Sequence, residues 1–190
     1  MRSVGQRAPV ATSAAGDPWF REATAADLAA VRDIYAWHVE RGTGTFEEVP
    51  PSVEDMTGRW RGIVEAGLPY LVAVVEGRVG GFAYVAPFRP RSAYRHTVED
   101  SIYLDPVLVG QGLGRRLLGG LIERCTERGF RQMVAVIGDS ANAASIRLHA
   151  GHGFQRAGML TATGFKFGRW LDAVFMQRPL GEGGRSLPPR

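Results

Sequence analysis

The chain predicts one mixed α/β domain in three layers, a mostly antiparallel sheet flanked by helices. Three observations lead there. First, its 190 residues carry apolar patterns in the order strand, two helices, several strands in a row, then strand, loop, helix, strand, helix and two closing strands. Second, residues 97–118 join a β-branched and aromatic run (Val98, Ile102, Tyr103, Leu104) to three glycines and then to leucines at helical spacing. Third, this length supports one sizeable core, and no internal repeat divides it. Strands that follow one another without intervening helices exclude an alternating, doubly wound sheet.

Each element follows from its residues. Residues 1–18 are small and polar without periodicity, so a disordered extension is expected there, followed by a folded domain over 19–180. The domain opens with a strand at 19–23. Thr24 caps the helix after it with help from Asp27, and Leu28, Val31, Ile34 and Tyr35 give that helix an apolar face ending near Gly42. Residues 43–51 are a loop holding one aromatic, Phe46. Ser52 and Asp55 repeat the capping pattern for a second helix, which Gly67 and Pro69 stop.

Residues 70–76 and 79–86 flank Gly77-Arg78 as a β-hairpin, and 87–93 form a basic loop. The central strand then runs to Leu104, where Asp105-Pro106 ends it, because proline has no N–H for the ladder. Leu113, Leu117, Leu118, Leu121 and Ile122 form the next helix and Gly129 closes it. A strand at 131–137, a short helix at 142–151 and strands at 154–159 and 170–176 complete the fold, with 164–169 separating the last two. Residues 181–190 read as a disordered Gly/Pro/Arg tail.

Composition sets bounds on function. At 45% hydrophobic and 22% charged residues the chain is an ordinary globular protein. Its net charge of +4 resides partly in the two ends, which leaves too weak an excess for a nucleic-acid partner. The single cysteine, Cys125, has no partner for an intrachain disulfide and sits in a helical pattern, which fits a packed thiol in a reducing, cytoplasmic setting. No apolar run approaches the ~20 residues that span a membrane, and the start lacks the hydrophobic segment of a signal peptide. Neither a membrane nor a nucleic acid is expected as a partner.

The glycine loop carries the chemistry. A strand, Gly110, Gly112 and Gly114, and a helix start led by Arg115 and Arg116 aim backbone N–H groups at one point, with the positive end of the helix dipole behind them. That is a place for a phosphate or pyrophosphate; an isolated Gly-x-Gly-x-Gly is also compatible with a merely flexible loop. A P-loop is excluded because no lysine follows the glycines, and a dinucleotide fingerprint because Leu117 stands where a small residue is needed.

The order of elements around this loop resembles the GNAT superfamily of acyl-CoA N-acyltransferases, over residues 20–180. Four stretches narrow the likeness: Ala-Tyr-Arg-His-Thr-Val-Glu-Asp-Ser-Ile-Tyr-Leu (93–104), Val-Ala-Val-Ile-Gly (134–138), Asn-Ala-Ala-Ser-Ile-Arg-Leu-His (142–149) and Gly-Phe-Lys-Phe-Gly-Arg-Trp-Leu-Asp (164–172). They are similar to the phosphinothricin and methionine sulfoximine/sulfone N-acetyltransferases. The resemblance implies a GNAT fold and an acetyl-CoA-dependent transfer to the α-amino group of a small glutamate- or methionine-like amino acid, with no metal. It implies that Gly110, Gln111, Gly112, Leu113, Gly114 and Arg115 hold the pyrophosphate, that Ile102, Tyr103 and Leu104 bond the pantetheine arm, and that Asn142 lies beside it. The signature departs at Val109, where Arg or Gln is usual; backbone donors then carry more of the phosphate contact.

The resemblance also places the reacting groups. Glu99 matches the catalytic glutamate that removes a proton from the ammonium; read alone it is equally a solvent-facing strand residue or a partner of Arg95. His149 takes the position of the proton donor to the departing thiolate, although a lone helical histidine is often structural. His149 and His152 at helical spacing lack a third ligand for a metal. Arg89, Arg91 and Tyr94 fall to substrate recognition, since two guanidinium forks suit a carboxylate or phosphinate, with Phe46 and Tyr103 lining the pocket. Lys166, among aromatics, reads as a buried turn or dimer contact. A homodimer is expected from the family alone.

Overall fold

A computed structural model describes residues 19–188. The expected N-terminal extension, 1–18, lies outside the described residues. The elements are β1 (Phe20–Glu22), α1 (Leu28–Arg41), α2 (Val53–Glu65), β2 (Tyr70–Val75), β3 (Arg78–Pro87), β4 (Thr97–Leu104), α3 (Leu113–Glu127), β5 (Gln132–Gly138), α4 (Ala143–Ala150), β6 (Gln155–Lys166) and β7 (Arg169–Pro179). Seven strands form one sheet in the order β1-β2-β3-β4-β5-β7-β6. Among the described residues only β4 and β5 run parallel. Their connection contains α3, as a parallel crossover requires.

Alternation along the strands sorts residues to two faces. Val98, Ile102 and Leu104 of β4 join the core under α3, with Leu117, Leu118, Leu121, Met133 and Ile137. Tyr103 packs into the second core, with Tyr70, Phe82 and the inner faces of α1 and α2. Glu99 and Ser101 share Tyr103's face by register, opposite Ala86 and Tyr84 of β3.

β4 and β5 pair only from Thr97↔Gln132 to Asp100↔Ala135. Beyond that point they part. On its other side β4 stays paired to β3 as far as Leu104↔Gly81. The second half of β4 therefore offers one free edge of main chain to the space between the strands.

Three features differ from the sequence reading. The tight turn of the first hairpin is Glu76-Gly77, at φ 50° and 76°, so β3 begins at Arg78. Residues 164–169 do not separate the last two strands but are their paired ends: Gly164↔Leu171, Phe165↔Trp170 and Lys166↔Arg169. The turn is Phe167-Gly168, both left-handed at φ 52° and 72°, and phenylalanine in that conformation hides the turn from a sequence reading. The tail is also less free than expected: Arg131 donates to the Ser186 carbonyl and hydroxyl and to the Leu187 carbonyl.

α3 lies close to β1 because Gly120 has no side chain. A Cβ there would stand 2.6 Å from the Phe20 ring and 3.3 Å from Leu71. Gly120→Ala is expected to destabilise the domain by about 1–3 kcal/mol through overpacking, despite alanine's better helix propensity, read as a lower urea midpoint at unchanged m-value.

Candidate active site

A cavity of about 760 Å³ opens where β4 and β5 part, walled by β4, the glycine loop, α4 and the 42–44 segment after α1. Its two arms have different chemistry. One is main chain: Ile102, Tyr103 and Leu104 beside Gly110, Gly112, Gly114 and Arg115. Gly110 and Gly112 hold φ of +87° and +83° and meet nothing within 4 Å of an added Cβ, so glycine is required there by backbone conformation. They deliver the chain into the first turn of α3, a fifteen-residue helix whose leading N–H groups lack intrahelical partners. Gly114 acts by size instead, because its missing Cβ would stand 3.3 Å from Leu148 and 3.4 Å from Leu104.

Of the other residues expected at this arm, Asn142 lines the cavity while its side-chain oxygen caps α4 by accepting from the Ser145 N–H at 3.2 Å. Gln111 is exposed and outside the cavity wall. Leu113 is buried in the α3 core, so only its main chain is available to a ligand.

The second arm is charged. His149 is buried on α4, with Nδ1 at 2.8 Å from the Ser145 carbonyl and Nε2 at 3.0 Å from Asp100 Oδ2. Both ring nitrogens face acceptors, an arrangement satisfied by the imidazolium. Burial opposes that charge; the hydrogen bond and charge of Asp100 and the Ser145 carbonyl outweigh it, and the His149 pKa is raised. Asp100 is the last residue of β4 paired to β5, so this ion pair sits where the strands part. The residue expected to protonate the thiolate thus has both ring nitrogens engaged, Nε2 by Asp100 and Nδ1 by Ser145.

Glu99, next in the chain, points to the other face of the sheet. It is half-buried, and burial raises its carboxyl pKa; the charge of Arg89 works against the rise and that of Asp100 with it. Arg89 is exposed, its guanidinium 4.4 Å over the Phe88 ring, and Tyr94 meets the same ring edge-on. Arg91 is exposed at the start of the turn that carries Tyr94. Glu99, Arg89, Arg91 and Tyr94 lie outside the large cavity's wall, whereas Tyr103 belongs to it.

Phe46, partly exposed, packs its ring against two glycines. A Cβ on Gly164 would stand 2.5 Å from its ring, and one on Gly138 would meet the ring at 3.0 Å and the Thr43 carbonyl at 2.4 Å. Lys166, fully buried, donates to the Gly42 and Thr45 carbonyls at 2.9 Å each. Burial lowers its pKa, partly offset by Glu48 and Glu47. The hairpin of β6 and β7 thus holds the loop that leads into the cavity.

Sequence reasoning did not single out Asp100, His38 or Asp139. His38 lines the cavity and donates from Nε2 to the Leu104 carbonyl at 2.8 Å; burial lowers its pKa against the opposing pull of that carbonyl. Asp139, in left-handed conformation, accepts from Thr43, Ala141 and Arg169. Alternation puts Asp100 opposite in face to Glu99, which was readable, but its meeting with a helix 49 residues on was not.

Comparison with known proteins agrees with this geometry. A model of the acetyltransferase (GNAT) family matches residues 31–154. The chain is 54% identical over 162 residues to a phosphinothricin N-acetyltransferase of Alcaligenes faecalis, covering 85% of this chain and 82% of that one. It is 41% identical over 169 residues to an L-methionine sulfoximine/L-methionine sulfone acetyltransferase of Pseudomonas aeruginosa, covering 88% and 97%. The crystal structure of a GNAT superfamily phosphinothricin acetyltransferase from Sinorhizobium meliloti, in complex with AcCoA, superposes with a TM-score of 0.88 at 52% identity, covering 90% of this chain and 92% of that one.

Two outcomes follow from the buried charges and the gripped loop. Because the folded His149 pKa lies above its ordinary 6.5, the pair's stabilisation is full below that pH and is lost as pH rises through the folded value. Urea titrations across that range should show the fall in wild type, and Asp100→Asn should abolish it while costing about 3–5 kcal/mol. Gly164→Ala should displace Phe46 and raise the acceptor KM several-fold while acetyl-CoA affinity stays within about twofold, measured by steady-state kinetics and calorimetry.

Proposed function

The chain belongs to the GNAT acetyltransferase family, and on that premise we propose that it carries acetyl from acetyl-CoA to the α-amino group of a small glutamate- or methionine-like amino acid, the class to which phosphinothricin, methionine sulfoximine and methionine sulfone belong. One observation carries the reading: the free edge of β4 runs from the glycine loop to the point where Glu99 and the His149–Asp100 pair occupy opposite faces of the same strand.

The residues divide the work. Open backbone at Gly110–Arg115 and the start of α3 suits a pyrophosphate, and main chain at Ile102–Leu104 suits the amide groups of a pantetheine arm, as another strand would. Bound acetyl-CoA supplies an activated thioester. Glu99 takes a proton from the substrate ammonium, directly or through water, so that the free amine attacks the thioester carbonyl carbon. The new C–N bond forms as the C–S bond breaks, the proton that the acylated nitrogen sheds goes to the departing thiolate, and a backbone N–H near Leu104 polarises the carbonyl oxygen. His149 sets a positive charge beside the departing thiolate. Giving up its proton there requires release of Asp100 or Ser145. Arg89 and Arg91 fork the substrate carboxylate, while Phe46, Tyr94 and Tyr103 wall the acceptor.

Residues 155–163 of β6 are exposed along their whole length, including Met159 and Leu160, and Phe165, Phe167 and Trp170 extend the apolar surface around the hairpin. An unpaired apolar edge of this kind supports a homodimer. Among the described residues no helix is long and apolar enough to cross a membrane, and Cys125 is a buried free thiol, in keeping with action in the cytoplasm.

Thiol release from acetyl-CoA with a panel of amino acids tests the proposal. Methionine sulfone or phosphinothricin should drive release, and Glu99→Gln should lower turnover by roughly 10²-fold. The acid limb of the wild-type profile should lie above the ordinary carboxylate range, because activity falls as pH drops through a raised Glu99 pKa. Cofactor binding with no amine-dependent release would leave a CoA-binding module instead.

A further inference from the structure

A second cavity, of about 290 Å³, lies between α2 and the sheet face that carries Glu99, lined by Tyr35, Met56, Arg59, Ile63, Tyr70, Phe82 and Tyr84. Its wall is an aromatic ladder: Tyr70 and Tyr84 stack at 5.0 Å and Tyr70 and Phe82 at 5.9 Å. Met56 and Ile63 face it from α2 with apolar atoms. One polar group inside is unexplained. Tyr70 is 1% exposed and its hydroxyl has no hydrogen-bond partner, although buried phenols ordinarily find one. The Tyr35 hydroxyl, by contrast, is bonded to Thr45 at 2.9 Å. Arg59 faces Tyr70 from the same cavity, held by both oxygens of Glu47 at 2.7 and 3.2 Å.

Register ties this cavity to the proposed chemistry. Glu99 lies across from Ala86, and Tyr84, two residues earlier on β3, stands across from Ser101 on the same face. At ~3.4 Å per residue the two rows are roughly 7 Å apart, about the reach of an amino-acid side chain. Arg89 lies three residues beyond Ala86 in the opposite direction. An α-amine at Glu99 therefore leaves its carboxylate toward Arg89 and its side chain toward Tyr84.

We propose that this cavity is the side-chain subsite of the acceptor, shaped for a long, largely apolar side chain ending in a hydrogen-bond acceptor, with the Tyr70 hydroxyl as donor. The inference rests on the acetyltransferase reading above and goes beyond it by naming what selects the acceptor. Methyl and methylene groups lie on the Phe82, Met56 and Ile63 surfaces, and a terminal oxo group receives the proton that Tyr70 otherwise places nowhere. A short acceptor such as alanine reaches Glu99 but leaves the cavity untouched.

The test is acceptor kinetics for the full-length enzyme with methionine sulfone, methionine and alanine, alongside Tyr70→Phe and Ile63→Phe. Tyr70→Phe should lower the methionine sulfone/methionine ratio of kcat/KM by roughly tenfold, since it removes one hydrogen bond and no volume. Ile63→Phe, which fills the cavity, should lower the methionine sulfone/alanine ratio by tenfold or more. Ratios unchanged in Tyr70→Phe overturn the subsite, and that variant decides alone if Ile63→Phe does not fold. A wild-type enzyme that acetylates none of the three overturns the acetyltransferase reading itself, and the subsite with it.

Discussion

The separation of β4 from β5 after Asp100 and Ala135 is the constraint on which the rest of the molecule depends. A parallel pair in mid-sheet is ordinarily bonded along its length, because unpaired main chain in a buried place is unfavourable. Here β4 continues for four residues with β3 on one side and open space on the other. The opening is maintained by what stands at its apex. Asp100 and the ring of His149 occupy that point, and Phe154 meets the same ring edge-on at 5.0 Å. A buried ion pair of this kind contributes little net stability, yet it fixes where pairing stops.

Alternation along β4 then sets the charges. Consecutive residues of a strand point to opposite faces, so Glu99 and Asp100 sit close in space and apart in environment. Asp100 finds a partner in the His149 ring on α4. Glu99 has none at contact distance; it is half-buried on the α1 side, and burial keeps its carboxyl easier to protonate than an exposed glutamate. Consecutive positions of one strand thus place a half-buried carboxylate on one face and a carboxylate bonded to His149 on the other, with the free edge of main chain between them.

Much of this was legible in the residues. Strand, glycine loop and helix at 97–118 carry their own pattern, and the strand and helix order fixes the fold class. Glu99 and His149 stand in stretches whose order along the chain resembles the family's. What stayed hidden is long-range. Asp100 looks like any polar strand residue until α4 brings His149 against it from 49 residues away. The last hairpin was misjudged because Phe167 holds a left-handed conformation normally left to glycine or asparagine, so the pairing of 164–166 with 169–171 resembled a loop. Leu113 belongs to two patterns in sequence, the glycine loop and the leucines at helical spacing, and the core claims its side chain.

That hairpin links two parts of the molecule that sequence keeps apart. On its outer side β6 presents Met159, Leu160 and Phe165 to solvent; on its inner side Lys166 and Gly164 fix the Phe46 loop. Lys166 donates to two carbonyls and sits 4.9 Å over the Phe167 ring, with the charges of Glu48 and Glu47 further off, so the loop must stay put to keep its two hydrogen bonds. Moving Phe46 outward strands a buried ammonium, and moving the hairpin withdraws the donor from both carbonyls. The Phe46 loop and the exposed apolar edge are therefore one mechanical unit, joined by Lys166 and by the close approach of Gly164 to the Phe46 ring.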